Sequence, residues 1–180
     1  DAESYQLVNL GPDLYNGVSG IGVFLAAHAQ VTGHAPSADL ALAAIAYLRR
    51  RLKDRNAARL ARSLGIGGAA GLGSNIYALT VMASSLLADA HAVSQLITDD
   101  LIAADKRLDV IGGSAGAILA LLRLYRDTKA DDVLMRAVRC GEHLLRQDRV
   151  GSEGRRSWIG QGFGTQGLNG MSHGAAGFAF

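Results

Sequence analysis

A Gly-x-x-Gly step recurs four times in this chain of 180 residues, each time just ahead of an apolar run. The copies are Gly17-Val-Ser-Gly20, Gly68-Ala-Ala-Gly71, Gly113-Ser-Ala-Gly116 and Gly174-Ala-Ala-Gly177, separated by 51, 45 and 61 residues. The runs behind them are Ile21 to Ala27, Ile76 to Leu87, Ile118 to Tyr125, and Phe178 onward. None shows period-two alternation or enrichment in valine and threonine, so the pattern predicts helices and not strands. They are apolar on nearly every face, as a helix enclosed by neighbours must be. Self-similarity at such a period marks a repeat architecture.

Helices of a second kind lie between them. Gly33 suits a helix C-terminus, and Ser37 after Pro36 suits an N-cap. Beyond it Leu42, Ile45, Leu48 and Leu52 form one stripe, with Arg49, Arg50 and Lys53 off it. Ser94 to Lys106 reads as a shorter version of the same thing. In Asp131 to Arg146, Val133, Leu134, Ala137, Val138, Leu144 and Leu145 face one way, and Arg136, Arg139, Glu142 and Arg146 another. Acidic residues at its start and arginine at its end suit the helix dipole.

Alternating apolar and amphipathic helices, one pair per repeat, predict an all-α fold, an α/α toroid with buried helices inside. About three and a half repeats are present, with cores near 13–55, 64–106, 109–147 and 170–180. A helical solenoid competes, but solenoid repeats are usually shorter and do not demand glycine at one end of every inner helix. The glycines are expected to let helix starts approach closely, since no Cβ stands between them. Parallel inner helices then bring Asn16, Gly67, Gly112 and His173 to one rim, with Asp13, Leu64, Asp109 and Gly170 near them. The glycine-rich stretch 148–172 accounts for the longest spacing, and a connection of that length is usually functional or mobile. Phe180 falls a few residues into an apolar run, which predicts that the chain is part of a longer domain.

Composition narrows the function. A net charge of +2 without interleaved aromatic and basic residues argues against nucleic acid as a partner. A single cysteine excludes an internal disulfide framework and fits a reducing compartment. The acidic opening is no secretory signal, and no apolar run is long enough for a membrane span, so a cytoplasmic protein is expected. Gly162-Phe-Gly-Thr-Gln-Gly167 fits a dinucleotide-binding pattern, as Gly65 to Ala70 fits its alanine variant, but neither follows a predicted strand. Cys140 reads as a packed thiol, and His28, His34, His91 and His143 as surface or satisfied structural histidines.

His173 stands apart. Directly before a Gly-x-x-Gly step, it meets the positive end of a helix dipole, which favours neutral imidazole. Such a group serves as a base or proton shuttle, and the same position equally suits a histidine that only caps the helix. Asp109, in the adjacent repeat, is placed to orient it or to cap its own helix. Asp13 holds the same repeat position and reads as a cap.

Asp13-Leu-Tyr-Asn-Gly-Val-Ser-Gly-Ile-Gly, Gly67-Gly-Ala-Ala-Gly-Leu-Gly-Ser, Asp109-Val-Ile-Gly-Gly-Ser-Ala-Gly and Ser172-His-Gly-Ala-Ala-Gly together resemble the repeats of the lanthionine synthetase C-like cyclase family. The opening, Tyr5 to Gly17, most resembles the start of the cyclase domain in bifunctional class II enzymes of the LanM type. The resemblance implies a toroid of seven helix pairs, of which this chain holds about the first half. It implies addition of a peptide cysteine thiol to dehydroalanine or dehydrobutyrine, closing a thioether ring. It also implies a dehydrated precursor peptide as partner and a dehydratase domain ahead of residue 1. His173 matches the family's proton-transfer histidine and Asp109 an aspartate associated with it. The family's zinc ion activates the thiolate and is held by two cysteines and a histidine from a Trp-Cys and a Cys-His-Gly motif. This sequence contains neither motif, so the zinc is expected only in the complete domain, with ligands beyond residue 180, and the chain alone is expected to be inactive. Two alternatives are a non-catalytic scaffold of the same family, binding peptide or thiol, and an unrelated α/α toroid enzyme. The latter usually relies on paired carboxylates, and the predicted mouth has few acids.

Overall fold

The structure is a computed structural model that describes residues 9–150, 154, 156–162, 164 and 166–180. It is an all-α arc of toroid type. Helices α1 (Val18–Thr32), α4 (Leu72–Met82) and α7 (Ser114–Thr128) form an inner row, α1 against α4 and α4 against α7. Outside them lie α2 (Ala35–Lys53) on α1, α5 (Leu87–Ser94) on α4, and α8 (Asp131–Gln147) on α7. Two short helices, α3 (Ala57–Leu64) and α6 (Asp99–Ala103), fill the connections, and α9 (Ala175–Ala179) opens the fourth repeat. Two-residue strands β1 (Arg149–Val150) and β2 (Arg156–Ser157) pair antiparallel within the glycine-rich segment.

The core lies between the two layers. Leu72, Ile76 and Leu79 of α4 meet Ala117, Ala120, Leu121 and Leu124 of α7. The outer layer closes over them with Ile45, Leu48 and Leu52 of α2, Ala90 and Val93 of α5, and Val133, Ala137 and Cys140 of α8. Only α4, flanked on both sides, is enclosed as all inner helices were expected to be. On α1 Phe24 and Val31 are 69% and 86% exposed, because α1 has an inner neighbour on one flank alone.

Several boundaries differ from the expectation. Ala83 is extended (φ −163°, ψ 143°), so the apolar run through Leu87 is not one helix. A 3-10 turn at Ser84–Leu86 leads into α5, and this helix, not Ser94 to Lys106, is the second outer one. Its Asp89 is held by Arg49 and Lys53 of α2. Burial alone would raise the Asp89 pKa, but the hydrogen bonds from Lys53 and Arg49 outweigh it and hold the carboxyl below its ordinary value. Ser37 lies buried inside α2, whose N-cap is His34, and Leu42 turns outward while Ala41 joins the stripe. On α8 Val138 and Leu145 are exposed, and His143 takes a buried place, its Nε2 donating to the Asp105 carbonyl at 2.9 Å.

The glycines permit the expected close approach between repeats where Gly68 lies against Gly116, and also a second contact within each repeat. Before each inner helix the chain doubles back, so that first-turn N–H groups donate to carbonyls seven residues earlier. Val18 donates to Gly11, Leu72 to Gly65, Ala115 to Leu108 and Ala175 to Leu168, at 2.8–3.0 Å. These bonds satisfy donors that a helix start otherwise leaves unpaired. They also press the helix start against its own loop. A Cβ on Gly17 would collide with the Gly11 carbonyl, and one on Gly116 with the Val110 carbonyl. The loop geometry also corrects the repeat register. The second helix begins after Gly71, so Gly71-Leu-Gly-Ser74 is the true counterpart of the other steps and Gly68 belongs to the loop.

Gly116→Ala should therefore cost about 3 kcal/mol in denaturant unfolding, whereas Gly141→Ala on α8, which meets nothing closer than 4.0 Å, should cost little. The exposed apolar flank of α1 should make this chain self-associate in sedimentation experiments, and Phe24→Ser with Val31→Ser should reduce that association.

Candidate functional site

The rim loops of successive repeats are fastened to each other. The N–H groups of Leu14 and Tyr15 donate to the Ala69 carbonyl, both at 3.2 Å. At the next seam Gly68 donates to Val110, and Ala69 and Ala70 donate to Ile111, at 2.9–3.1 Å. At the third seam a side-chain bond spans the gap, from His173 Nδ1 to Asp109 Oδ2, at 2.7 Å across 64 residues.

Asp109 has both oxygens occupied. Oδ1 accepts the Gly112 N–H at 2.6 Å, the same turn that Asp13 makes with the Asn16 N–H at 2.7 Å. One oxygen thus does the capping work expected of either aspartate, and in Asp109 the second reaches the next repeat. The Asp109 residue is only 2% exposed, so its carboxylate depends on these partners. A carboxylate accepts and does not donate, so the proton shared with it sits on Nδ1. The His173 side chain is 35% exposed, within reach of a ligand arriving at the rim.

The loop carrying Asp109 is shaped by Asp105, which the sequence reading passed over. Its Oδ2 accepts the N–H and hydroxyl of Ser114 at 2.7 and 2.6 Å, capping α7, and its Oδ1 accepts the Arg107 N–H at 2.9 Å. Between Asp105 and Asp109, Leu108 has a left-handed backbone (φ 66°), a strained state for a branched residue of about 1 kcal/mol. Burial of its side chain and the Ala115 N–H on its carbonyl hold it there. No sequence signal betrays this role, because Asp105 acts nine residues from Ser114. The described glycine-rich residues are anchored as well. Trp158 Nε1 donates to the Leu144 carbonyl at 2.9 Å, and the ring packs on Phe178 of α9 with centroids 5.2 Å apart. The Gln161 N–H donates to the Lys106 carbonyl at 2.8 Å.

The remaining candidates lie elsewhere. His28 and His34 both contact the Ser37 hydroxyl, and His91 lies 3.0 Å from Asp132. Cys140 is fully buried, and burial together with Asp105 pushes its thiol up to about 12. Among the described residues no group of three or more histidine, cysteine or acidic side chains is arranged to hold a metal ion. With its one thiol inside α8, the described part of the chain does not fit a zinc site, and no step below runs through one.

The structure thus shows a repeat protein of α/α toroid type, an arc whose rim carries a buried aspartate bound to a half-exposed histidine. The family model described as lanthionine synthetase C-like protein matches residues 9–180, and the chain belongs to that family. No curated protein matches it. No helix among the described residues is long and apolar enough to cross a membrane.

The raised Cys140 pKa means that the folded chain keeps its thiol proton to higher pH than the unfolded chain. Stability is therefore unaffected below the ordinary thiol range and falls as pH rises from about 9 towards 12. Native protein at pH 8 should leave a thiol reagent such as DTNB unreacted, and unfolding should release one equivalent.

Proposed function

We propose that this chain is part of a cyclase domain that adds peptide cysteine thiols to dehydroalanine or dehydrobutyrine, with His173 as the proton-transfer residue and Asp109 as its positioning partner. The single observation behind this reading is the 2.7 Å contact between His173 on the rim and the buried carboxylate of Asp109. In the reaction the sulfur forms a bond to the β-carbon, the β-carbon's double bond opens to an enolate, and the α-carbon takes up a proton. A histidine held by its Nδ1 can deliver that proton from Nε2 and regain one from solvent or from the incoming thiol. The hydrogen bond to Asp109 fixes the ring's orientation. The chain's part in the chemistry is this proton transfer, because Cys140 is buried and thiol activation requires groups other than those described. Family membership supports a peptide substrate. The likeness of the opening stretch to LanM-type enzymes supports a dehydratase domain in the same protein and a cytoplasmic setting; its first residues, Tyr5 to Val8, lie outside the described ones.

A second reading has its own support. Because other seams are fastened by backbone bonds, the Asp109–His173 contact also suits a purely structural fastening in a non-catalytic scaffold.

Two substitutions separate these readings in the full-length protein with a dehydrated peptide. His173→Asn keeps an N–H donor near the Nδ1 position but has no titrating nitrogen, while His173→Ala loses both. Proton transfer by His173 predicts that both variants slow ring closure by on the order of 100-fold, with His173→Asn retaining most of the thermal stability. Normal cyclisation by His173→Asn would leave only the fastening role.

A further inference from the structure

A cleft of about 440 Å³ opens away from His173, which is not among its lining residues. It lies between α3 and the 105–112 loop, with Gly112 in its wall, and its volume is within the range of ligand sites, roughly 300–1,000 Å³. Three cations line it: Arg62 from α3, and Lys106 and Arg107 from the loop. Several basic side chains elsewhere are ion-paired, Arg49 and Lys53 with Asp89, Arg123 with Asp127, Arg136 with Asp132 and Arg139 with Asp99, while Arg50, Arg55 and Arg59 pair with no described residue but line no part of this cleft. Arg62, Lys106 and Arg107 form no ion pair with any described residue.

Two acids share the lining and offset part of this charge, leaving one more cation than carboxylates, and neither acid is ion-paired with the three cations. Asp105 has both oxygens on backbone and serine donors, and Asp13 caps its own turn through Oδ1. The Arg107 side chain lies directly over Gly112, where a Cβ would strike its Cδ and Nη1. The remaining walls include Gly65, Ala70 and Ala104, which leave room for an approaching chain.

We propose that this cleft binds an acidic stretch of a peptide through Arg62, Lys106 and Arg107, and so guides the substrate towards His173. The inference rests on the cyclase reading for the identity of that peptide, though not for the recognition chemistry. Carboxylates on an extended chain suit the cleft better than a phosphate group. Phosphate sites draw on clustered backbone N–H groups, and those of Gly68, Ala69 and Ala70 already donate to Val110 and Ile111. The cleft wall includes Gly112, whose N–H donates to Asp109 Oδ1, while Asp109 Oδ2 holds the histidine.

The test is fluorescence anisotropy on the full-length protein with labelled oligoglutamate and oligoglutamine of equal length. Oligoglutamate should bind at least about 10-fold more tightly, and more weakly as salt rises. Replacing Arg62, Lys106 and Arg107 together by Gln should weaken it by about 10-fold, a loss of about 1.4 kcal/mol. Arg126→Gln with Lys129→Gln, at the opposite end of α7, should leave binding unchanged. If the triple variant does not fold by circular dichroism, Arg62→Glu alone must show the loss. Equal binding of both peptides, an equal loss in the α7 control, or capture of inorganic phosphate without oligoglutamate would overturn the proposal. His173→Ala should bind oligoglutamate normally. Intact binding without cyclisation by the unmodified protein would therefore fault the cyclase reading alone, and intact cyclisation without glutamate preference would fault the cleft alone.

Discussion

Everything on the rim depends on one backbone arrangement, the loop that folds back so that the first turn of an inner helix donates to carbonyls seven residues earlier. A helix start has unpaired N–H groups, and burying them unpaired is costly. In most helices a side chain at the N-cap relieves this, but Gly17, Gly71, Gly113 and Gly174 have none to offer. The loop supplies carbonyls instead, and the contact is so close that glycine is the residue that fits. Repetition of this device places each loop beside the next, where remaining backbone groups join the repeats in series.

The fourth loop differs in what joins it. Asp109 and Asp13 make the same turn with one carboxylate oxygen, so the aspartate has a structural reason to be there in both repeats. What distinguishes Asp109 is depth and neighbourhood. Its second oxygen is buried at a seam where His173 arrives, and the strained Leu108 next to it shows how firmly the loop is held. A chemical group thereby gains orientation from parts that the scaffold needs anyway. The same loop carries the Asp109 that holds the histidine and also lines the cationic cleft.

The two helix classes were legible because burial writes itself into composition. Runs such as Leu72 to Met82 have polar residues only where a neighbour satisfies them, as Asn75 does with the Gly71 carbonyl and the Ser19 hydroxyl. Less legible were the breaks. Nothing in Ala83 marks it as extended, and the turn that starts α5 arises from packing against α4 and α7. The stripe on α8 was misread at Val138 and Leu145 because hydrophobicity alone does not say which side of a wide apolar face the core occupies; His143 took the inner place once a carbonyl was there to receive its N–H.

By itself, the sequence determined that this protein is a stack of helix pairs with glycine at each inner start, a lone imidazole at the last of them, and no clustered cysteines. Those properties follow from local spacing and composition, which act through neighbours along the chain. The partnership of residues 109 and 173, the crowding that forbids a Cβ on the helix starts, and the gathering of Arg62, Lys106 and Arg107 around one cleft were decided only by the tertiary structure. They depend on contacts between segments far apart in the chain, whose distances are set by how the repeats pack.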